Sequence, residues 1–338
     1  MNILILHPRL DAPFKNLGDV SSTRGPISPI RQHWNNFTWR LAAEHRRRGD
    51  LVTILEKPLW QFRPEDIDNL IKTEGFHRVY VPHKEKHQFP IHMTEVFYYT
   101  QTQFPWLFSI DPLGWGGGAS VWPIQPESNH LDVFETLAEW SWSNNSKFDQ
   151  PKTGHGAHLL PDTPFMFLPC QLPHDETLLF HSPVSMEAMM RVVCDMAYEN
   201  SLPLVIKGHP VNPGSMEPLI RVAREYLAKV CPKKWLYWVE DVSIHTILER
   251  AAVTITVNSG VGFESILHGV PVITFGKADY AAVSGFTTLD DFSINDLSLA
   301  VAQFSEAKNR DFINTWGAWC YDSSQADSFF KIPIDSAS

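Results

Sequence analysis

The sequence predicts an α/β protein built from two doubly wound, Rossmann-like domains facing a cleft. Three observations carry that expectation. Short apolar runs alternate twice along the chain with stretches of helical spacing, the pattern of parallel sheets covered by helices. Polar residues gather directly after the apolar runs of the second half, where ligands bind in such sheets. A length of 338 residues leaves room for two cores of ordinary size.

In order, "NILILH" (2–7) reads as a first strand that runs into a loop rich in Pro, Gly and Ser. Its start, "MNILILHPRL", has no basic region before a short apolar stretch, which favours a strand over a signal peptide. Residues 33–48 carry helical spacing through Trp34, Phe37, Leu41 and Ala42. "LVTILE" (51–56) reads as a strand, and "DIDNLIKT" then "HRVYVP" repeat the alternation. From 95 to 125 the rhythm breaks into an aromatic, Gly-rich stretch without period, expected to be a functional irregular segment. A helix at 129–144 leads into the polar "NNSKFDQPKTGHGAHLLPDTP", where the domain boundary is expected. The second half then reads as strand 165–170, helix 184–199, strand 203–207, helix 215–229, strand 235–239, helix 243–251, strand 253–257, helix 260–268 and strand 271–275. The expected domains are 1–155, 156–305 and a tail at 306–338 crossing back to the first domain.

Composition narrows the function. A hydrophobic fraction of 43% and a charged fraction of 20% are ordinary for a globular protein, and no apolar run reaches the length of a membrane span. The net charge of −10 argues against a general nucleic-acid binder. Arg46, Arg47 and Arg48 are consistent with complementing a helix dipole, or with weak contact to an anionic lipid or polymer. The four cysteines form no CxxC pair, so neither zinc nor a disulfide framework is suggested. Twelve tryptophans hint at faces for sugar rings.

The chemistry-bearing residues follow predicted strands. "FMFLPCQLPHDE" delivers Gln171, His174 and Asp175, and "LPLVIKGHP" delivers Lys207 and His209. "WLYWVEDVS" delivers Glu240 and Asp241, and "VTITVNSGVGFESILHG" delivers Asn258, Ser259 and Gly260 at a helix mouth. Free N–H groups at a helix start favour a phosphate, and Lys207 and His209 could face it from the opposite side. Singly each has an ordinary alternative: Asn258 and Ser259 as helix caps, His209 and Asp175 as turn residues, Glu264 as a solvated helix position. Together they describe a nucleotide site. GxGxxG and GxxxxGK[ST] are absent, which disfavours dinucleotide dehydrogenases and P-loop NTPases, and no metal-ligand spacing is present.

"QLPHD", "KGHP" and "VNSGVGFESILHGVPVITFG", in that order, resemble the bacterial capsule polysaccharide biosynthesis family, which includes β-Kdo glycosyltransferases of GT-B-like fold that use CMP-Kdo. "EVFYYTQTQFPWLFSIDPLGWGGGAS" is similar to an acidic and aromatic segment of that family. The resemblance implies Asp175 as the catalytic carboxylate, a nucleophile in a retaining transfer or a base in an inverting one. It implies Lys207, His209, Ser259 and the Gly260 N–H as phosphate binders that help CMP leave; Asn258, Gln171, His174 and Glu240, placed by the strand ends, are expected around them. Glu264 would serve structure or the ribose, and Glu95 the acceptor. No metal is expected, and no cofactor beyond the CMP-sugar donor. The implied partner is a glycan or glycolipid acceptor, with the protein cytoplasmic, at the inner face of the inner membrane or in a capsule assembly complex. Two departures stand out: Gly in "KGHP" where Pro is common, and "KADYAAVSG" after Gly276. Sialyltransferases share the phosphate-site pattern, so another CMP-sugar transferase is an alternative. A UDP-sugar epimerase and a non-catalytic glycan- or nucleotide-binding module are the others.

Overall fold

A computed structural model of the chain describes residues 1–9, 29–121, 124, 132–210, 213–230 and 235–324. Cys231 falls outside them; Cys170, Cys194 and Cys320 are free thiols. In chain order the elements are β1 (Asn2–Pro8), α1 (Pro29–Arg47), β2 (Leu51–Lys57), α2 (Pro64–Glu74), β3 (Arg78–Pro82), β4 (Glu95–Gln101), β5 (Leu107–Asp111) and α3 (Val133–Trp142). There follow β6 (Phe165–Pro169), α4 (Glu176–His181), α5 (Met186–Glu199), β7 (Leu204–Lys207), α6 (Glu217–Lys229), β8 (Leu236–Val239) and α7 (Ile244–Leu248). The chain continues with β9 (Ala251–Thr256), α8 (Val261–Leu267), β10 (Val272–Thr274), β11 (Gly285–Phe286), α9 (Ile294–Gln303), α10 (Glu306–Trp319) and β12 (Tyr321–Asp322).

Two units result, Met1–Val121 with Trp319–Ser338, and Trp122–Ala318. The first has a sheet in the order β12-β5-β4-β3-β1-β2. Strands β1 to β4 run parallel, β5 is antiparallel to β4, and β12 is antiparallel to β5. Alternate residues of β1 point to opposite faces, and both faces are apolar. Ile3 and Ile5 meet Phe37, Leu41 and Ala42 of α1 on one side. Leu4 and Leu6 meet Ile67 and Ile71 of α2 on the other. Each such Ile, Leu or Phe side chain contributes roughly 1.5–3 kcal/mol. At the end of α1, Glu44 holds Arg47 and Arg48, so two of the three consecutive arginines are engaged within their own helix.

The second unit has an all-parallel sheet in the order β11-β10-β9-β6-β7-β8. Met166, Leu168, Leu204 and Ile206 face α5 and α6, while Phe165, Phe167 and Val205 face α7. Helix α5 starts at a Ser185 cap that accepts from the Ala188 N–H, and its apolar face (Met189, Met190, Val193, Cys194, Ala197) is buried.

Two sequence expectations change. The stretch 95–125 contains two strands, β4 and β5. Their residues are covered on both faces, so no two-residue alternation shows in the sequence. The division between units falls before α3 and not at 155/156. The Phe134 N–H donates to Asn314 Oδ1 of α10 at 2.8 Å, and Arg310 lies over the Phe134 ring at 4.4 Å. The polar stretch after α3 is also fastened within the second unit, where Asn144 Oδ1 accepts from Ser243 Oγ at 2.9 Å. Among the described residues no helix is long and apolar enough to cross a membrane.

Candidate functional site

The carboxyl edge of the second sheet gathers most of the residues singled out above. Strand β6 ends at Pro169 and the chain turns through Gln171, which is 3% exposed. Gln171 Nε2 donates to Asn258 Oδ1 at 3.0 Å. Its Oε1 accepts from the Asn258 N–H at 3.2 Å and from Thr256 Oγ1 at 3.3 Å. Asn258, itself 6% exposed, donates through Nδ2 to the Thr177 carbonyl at 2.9 Å. These two amides therefore fasten the ends of β6 and β9 to the start of α4. Their burial is satisfied by these bonds without a ligand.

Asp175 is half-buried beside exposed His174. Its Oδ1 caps α4, accepting from the Thr177 N–H at 3.0 Å and Thr177 Oγ1 at 2.7 Å. Its other oxygen has no hydrogen bond among the described residues. The cap holds the carboxylate in one orientation and leaves an oxygen for chemistry.

Lys207 is 5% exposed, and its Nζ donates to the Glu240 carbonyl at 2.8 Å, tying the end of β7 to the end of β8. Burial pushes its ammonium down to about 8, against the pull of Asp241 and Glu240. One of its three donors is thus taken by a structural tie. Glu240 is exposed and accepts from Trp238 Nε1 at 3.1 Å. His209 is half-buried with its ring edge-on to Phe148, centroids 5.2 Å apart, and its N–H faces Met216 Sδ at 3.4 Å.

At the end of β9 the Ser259 N–H donates to Thr256 Oγ1 at 3.1 Å, and Ser259 Oγ accepts from the Val261 N–H at 3.3 Å. Tyr280 OH donates to the Ser259 carbonyl at 2.6 Å. The Gly260 N–H, at the mouth of α8, has no partner among the described residues. A methyl added at Gly262 would collide with the Tyr280 ring, so this position requires glycine. Glu264 is fully buried and accepts from Ser146 Oγ at 2.8 Å, so it is not a solvated helix position.

Glu95 does not belong to this edge. It opens β4 in the first unit, at the amino end of the parallel strands, and is ion-paired with buried Arg78, which opens β3. Its carboxylate neutralises a buried guanidinium at the amino end of the parallel strands. Among the described residues no group of three or more His, Cys, Asp or Glu is placed to hold a metal ion.

Sequence reasoning missed Ser146, Lys147 and Phe148, which lie at the same edge within a stretch read as a boundary. It also missed Tyr280 and Asp279, which belong to "KADYAAVSG". Asp279 Oδ2 accepts from Trp316 Nε1 at 3.2 Å, and burial pushes its carboxyl up to about 6.

Comparison with known proteins adds independent findings. Residues 145–308 match the family described as capsule polysaccharide biosynthesis protein. Protein FixF of Sinorhizobium fredii (strain NBRC 101917 / NGR234) is 29% identical over 119 residues, 34% of this chain and 27% of FixF. That match thus spans about a quarter of FixF. The β-Kdo 2,7 transferase of Thermosulfurimonas dismutans KpsC superposes over 93% of this chain and 90% of that one, with a TM-score of 0.50 at 14% identity. The β-Kdo 2,4 transferase of the same KpsC covers 75% of this chain and 83% of that one, with a TM-score of 0.44 at 16% identity. The α/β architecture of two parallel-stranded sheets is thus that of a GT-B-like protein. The family read from "QLPHD", "KGHP" and "NSGVGFES" is the one whose description matches 145–308.

Proposed function

We propose, from the premise that residues 145–308 are those of a capsule polysaccharide biosynthesis protein in a glycosyltransferase-like chain, that the protein transfers Kdo from CMP-β-Kdo to a bacterial surface polysaccharide or glycolipid acceptor. The observation that carries this reading is the carboxyl edge of the second sheet. There a capped Asp175 with one engaged oxygen shares an edge with His209 and the open Gly260 N–H. The same edge is tied together by buried Gln171, Asn258 and Lys207, which gives the preorganisation a charged transition state requires.

In the proposed mechanism CMP leaves with the electron pair of the broken bond on its phosphate. His209, Ser259 and the Gly260 N–H receive that charge. Asp175 forms the new bond to the anomeric carbon; the acceptor hydroxyl then displaces it with a second inversion, giving its proton to the departed CMP phosphate and freeing the Asp175 carboxylate, so configuration is retained. A single departing phosphate requires no metal under this reading. The work takes place on the cytoplasmic face of the inner membrane, where CMP-sugars and nascent surface glycans meet.

The deciding experiment is a nucleotide titration followed by product analysis with CMP-Kdo and acceptor. CMP is expected to bind in preference to UDP, and CMP-Kdo to give CMP and a β-Kdo product. His209→Ala and Ser259→Ala should weaken CMP binding, the former by roughly 1.5–3 kcal/mol. Unchanged CMP affinity in both variants would remove the phosphate assignment. Asp175→Asn keeps the cap geometry and removes the charge; CMP binding should persist while transfer is lost. Near-normal transfer by that variant would make Asp175 a cap and nothing more.

A further inference from the structure

Three consecutive residues between α3 and β6 each meet a different part of the same edge. Ser146 Oγ donates to Glu264 at 2.8 Å, and the Phe148 ring stands against His209. Between them, Lys147 lies within electrostatic range of Asp175. The segment is anchored on both sides. Asn144 accepts from Ser243 Oγ at 2.9 Å, and the Gly154 N–H donates to Thr246 Oγ1 at 2.7 Å. Residues 144–154 are thus a fixed strap across the strand ends, with half-buried Lys147 between the Ser146 and Phe148 contacts and in electrostatic range of Asp175.

We propose that Lys147 binds the carboxylate of an ulosonic-acid donor, beside the carbon that Asp175 attacks; this assignment rests on the donor reading above. Kdo is a 2-ulosonic acid, so its carboxylate is bonded directly to the anomeric carbon. An aspartate approaching that carbon meets like charge on the carboxylate bonded to it. An ammonium in range of the aspartate is positioned to neutralise the sugar carboxylate as the two anions are brought together. A neutral hexose donor presents no such group. Burial pushes the Lys147 ammonium down to about 8 and the Asp175 carboxylate opposes that fall, so a second anion would hold the lysine charged.

The test is calorimetric titration of the wild type, Lys147→Gln and Lys147→Arg with CMP and with CMP-Kdo, alongside thermal unfolding. The wild type is expected to bind CMP-Kdo more tightly than CMP. Lys147→Gln should lose about 10- to 150-fold in CMP-Kdo affinity, the range for one charged hydrogen bond, while CMP affinity stays within about threefold. Lys147→Arg retains the charge but not the compact head group, and should weaken CMP-Kdo alone. If Lys147→Gln does not fold, the arginine variant decides: equal retention of both ligands overturns the proposal. A folded Lys147→Gln that binds CMP-Kdo as the wild type does, or loses CMP and CMP-Kdo alike, also overturns it while leaving the donor reading intact. A wild type that binds neither ligand overturns the donor reading, and Lys147 with it.

Discussion

Lys207 and Asp279 are ionisable groups withdrawn from water with opposite signs, and each makes a separate prediction. The lysine is anchored on the Glu240 carbonyl, so Lys207→Met should change CMP affinity by less than about threefold, well below the loss from His209→Ala. Titration of the two variants side by side checks this, and a larger loss in Lys207→Met would return the lysine to the phosphate site. The Asp279 carboxyl is raised from 3.8 to about 6, so the folded protein favours its protonated form. Its contribution to stability is complete below about pH 4 and is lost as the pH rises through about 6, amounting to about 3 kcal/mol. The histidine pair His245 and His268, 3.1 Å apart, acts over the same range with the opposite sign. Burial pushes both down to about 4, so their share of stability is lost as the pH falls from 6.5 through 4. Asp279→Asn isolates the carboxyl. In urea unfolding followed from pH 4 to 8, the variant should gain on the wild type as the pH rises, and a constant difference would refute the assignment.

Helix α8 shows how an element carries the site. Its first turn is fixed by Tyr280, whose hydroxyl holds the Ser259 carbonyl and whose ring occupies the space above Gly262. Gly262→Ala should cost about 1–3 kcal/mol through overpacking and weaken CMP binding, because the Ser259–Gly260 turn moves with the ring. A thermal midpoint and a CMP titration check both. The alternation of strands and helices in the second half was readable from periodicity, and so was the gathering of polar groups at strand ends. What periodicity does not encode is which of those groups engage one another. Gln171 and Asn258 are 87 positions apart, and their mutual hydrogen bonds arise only when β6 and β9 become neighbours. The 144–154 strap read as a boundary because it is polar and holds Pro and Gly; its anchors at Ser243 and Thr246 are tertiary. "KADYAAVSG" stood out only as a departure from the family's pattern, whereas Tyr280 within it is buried against α8.

At the scale of the whole molecule, the first unit is completed from the far end of the chain. Tyr321 and Asp322 pair with Phe108 and Leu107. The Ser323 N–H donates to the Trp106 carbonyl at 2.8 Å, and Arg40 Nη1 donates to the Asp322 carbonyl at 3.0 Å. Ending the chain after Cys320 should destabilise the first unit by about 2–4 kcal/mol, at about 1 kcal/mol per hydrogen bond lost. Calorimetry should show an earlier unfolding transition, while CMP binding, proposed for the second unit, should persist; loss of both together would argue against that division of labour. The late strand also has a consequence for synthesis. Emerging from the ribosome, β1 to β5 are ready long before Tyr321 is translated, and the whole second unit is made in the interval. Throughout that time β5 presents an unprotected hydrogen-bonding edge to other nascent chains. Growing chains are therefore most vulnerable to strand exchange between the appearance of Asp111 and the arrival of Asp322, a window set by the order of the gene and not by the stability of the finished protein.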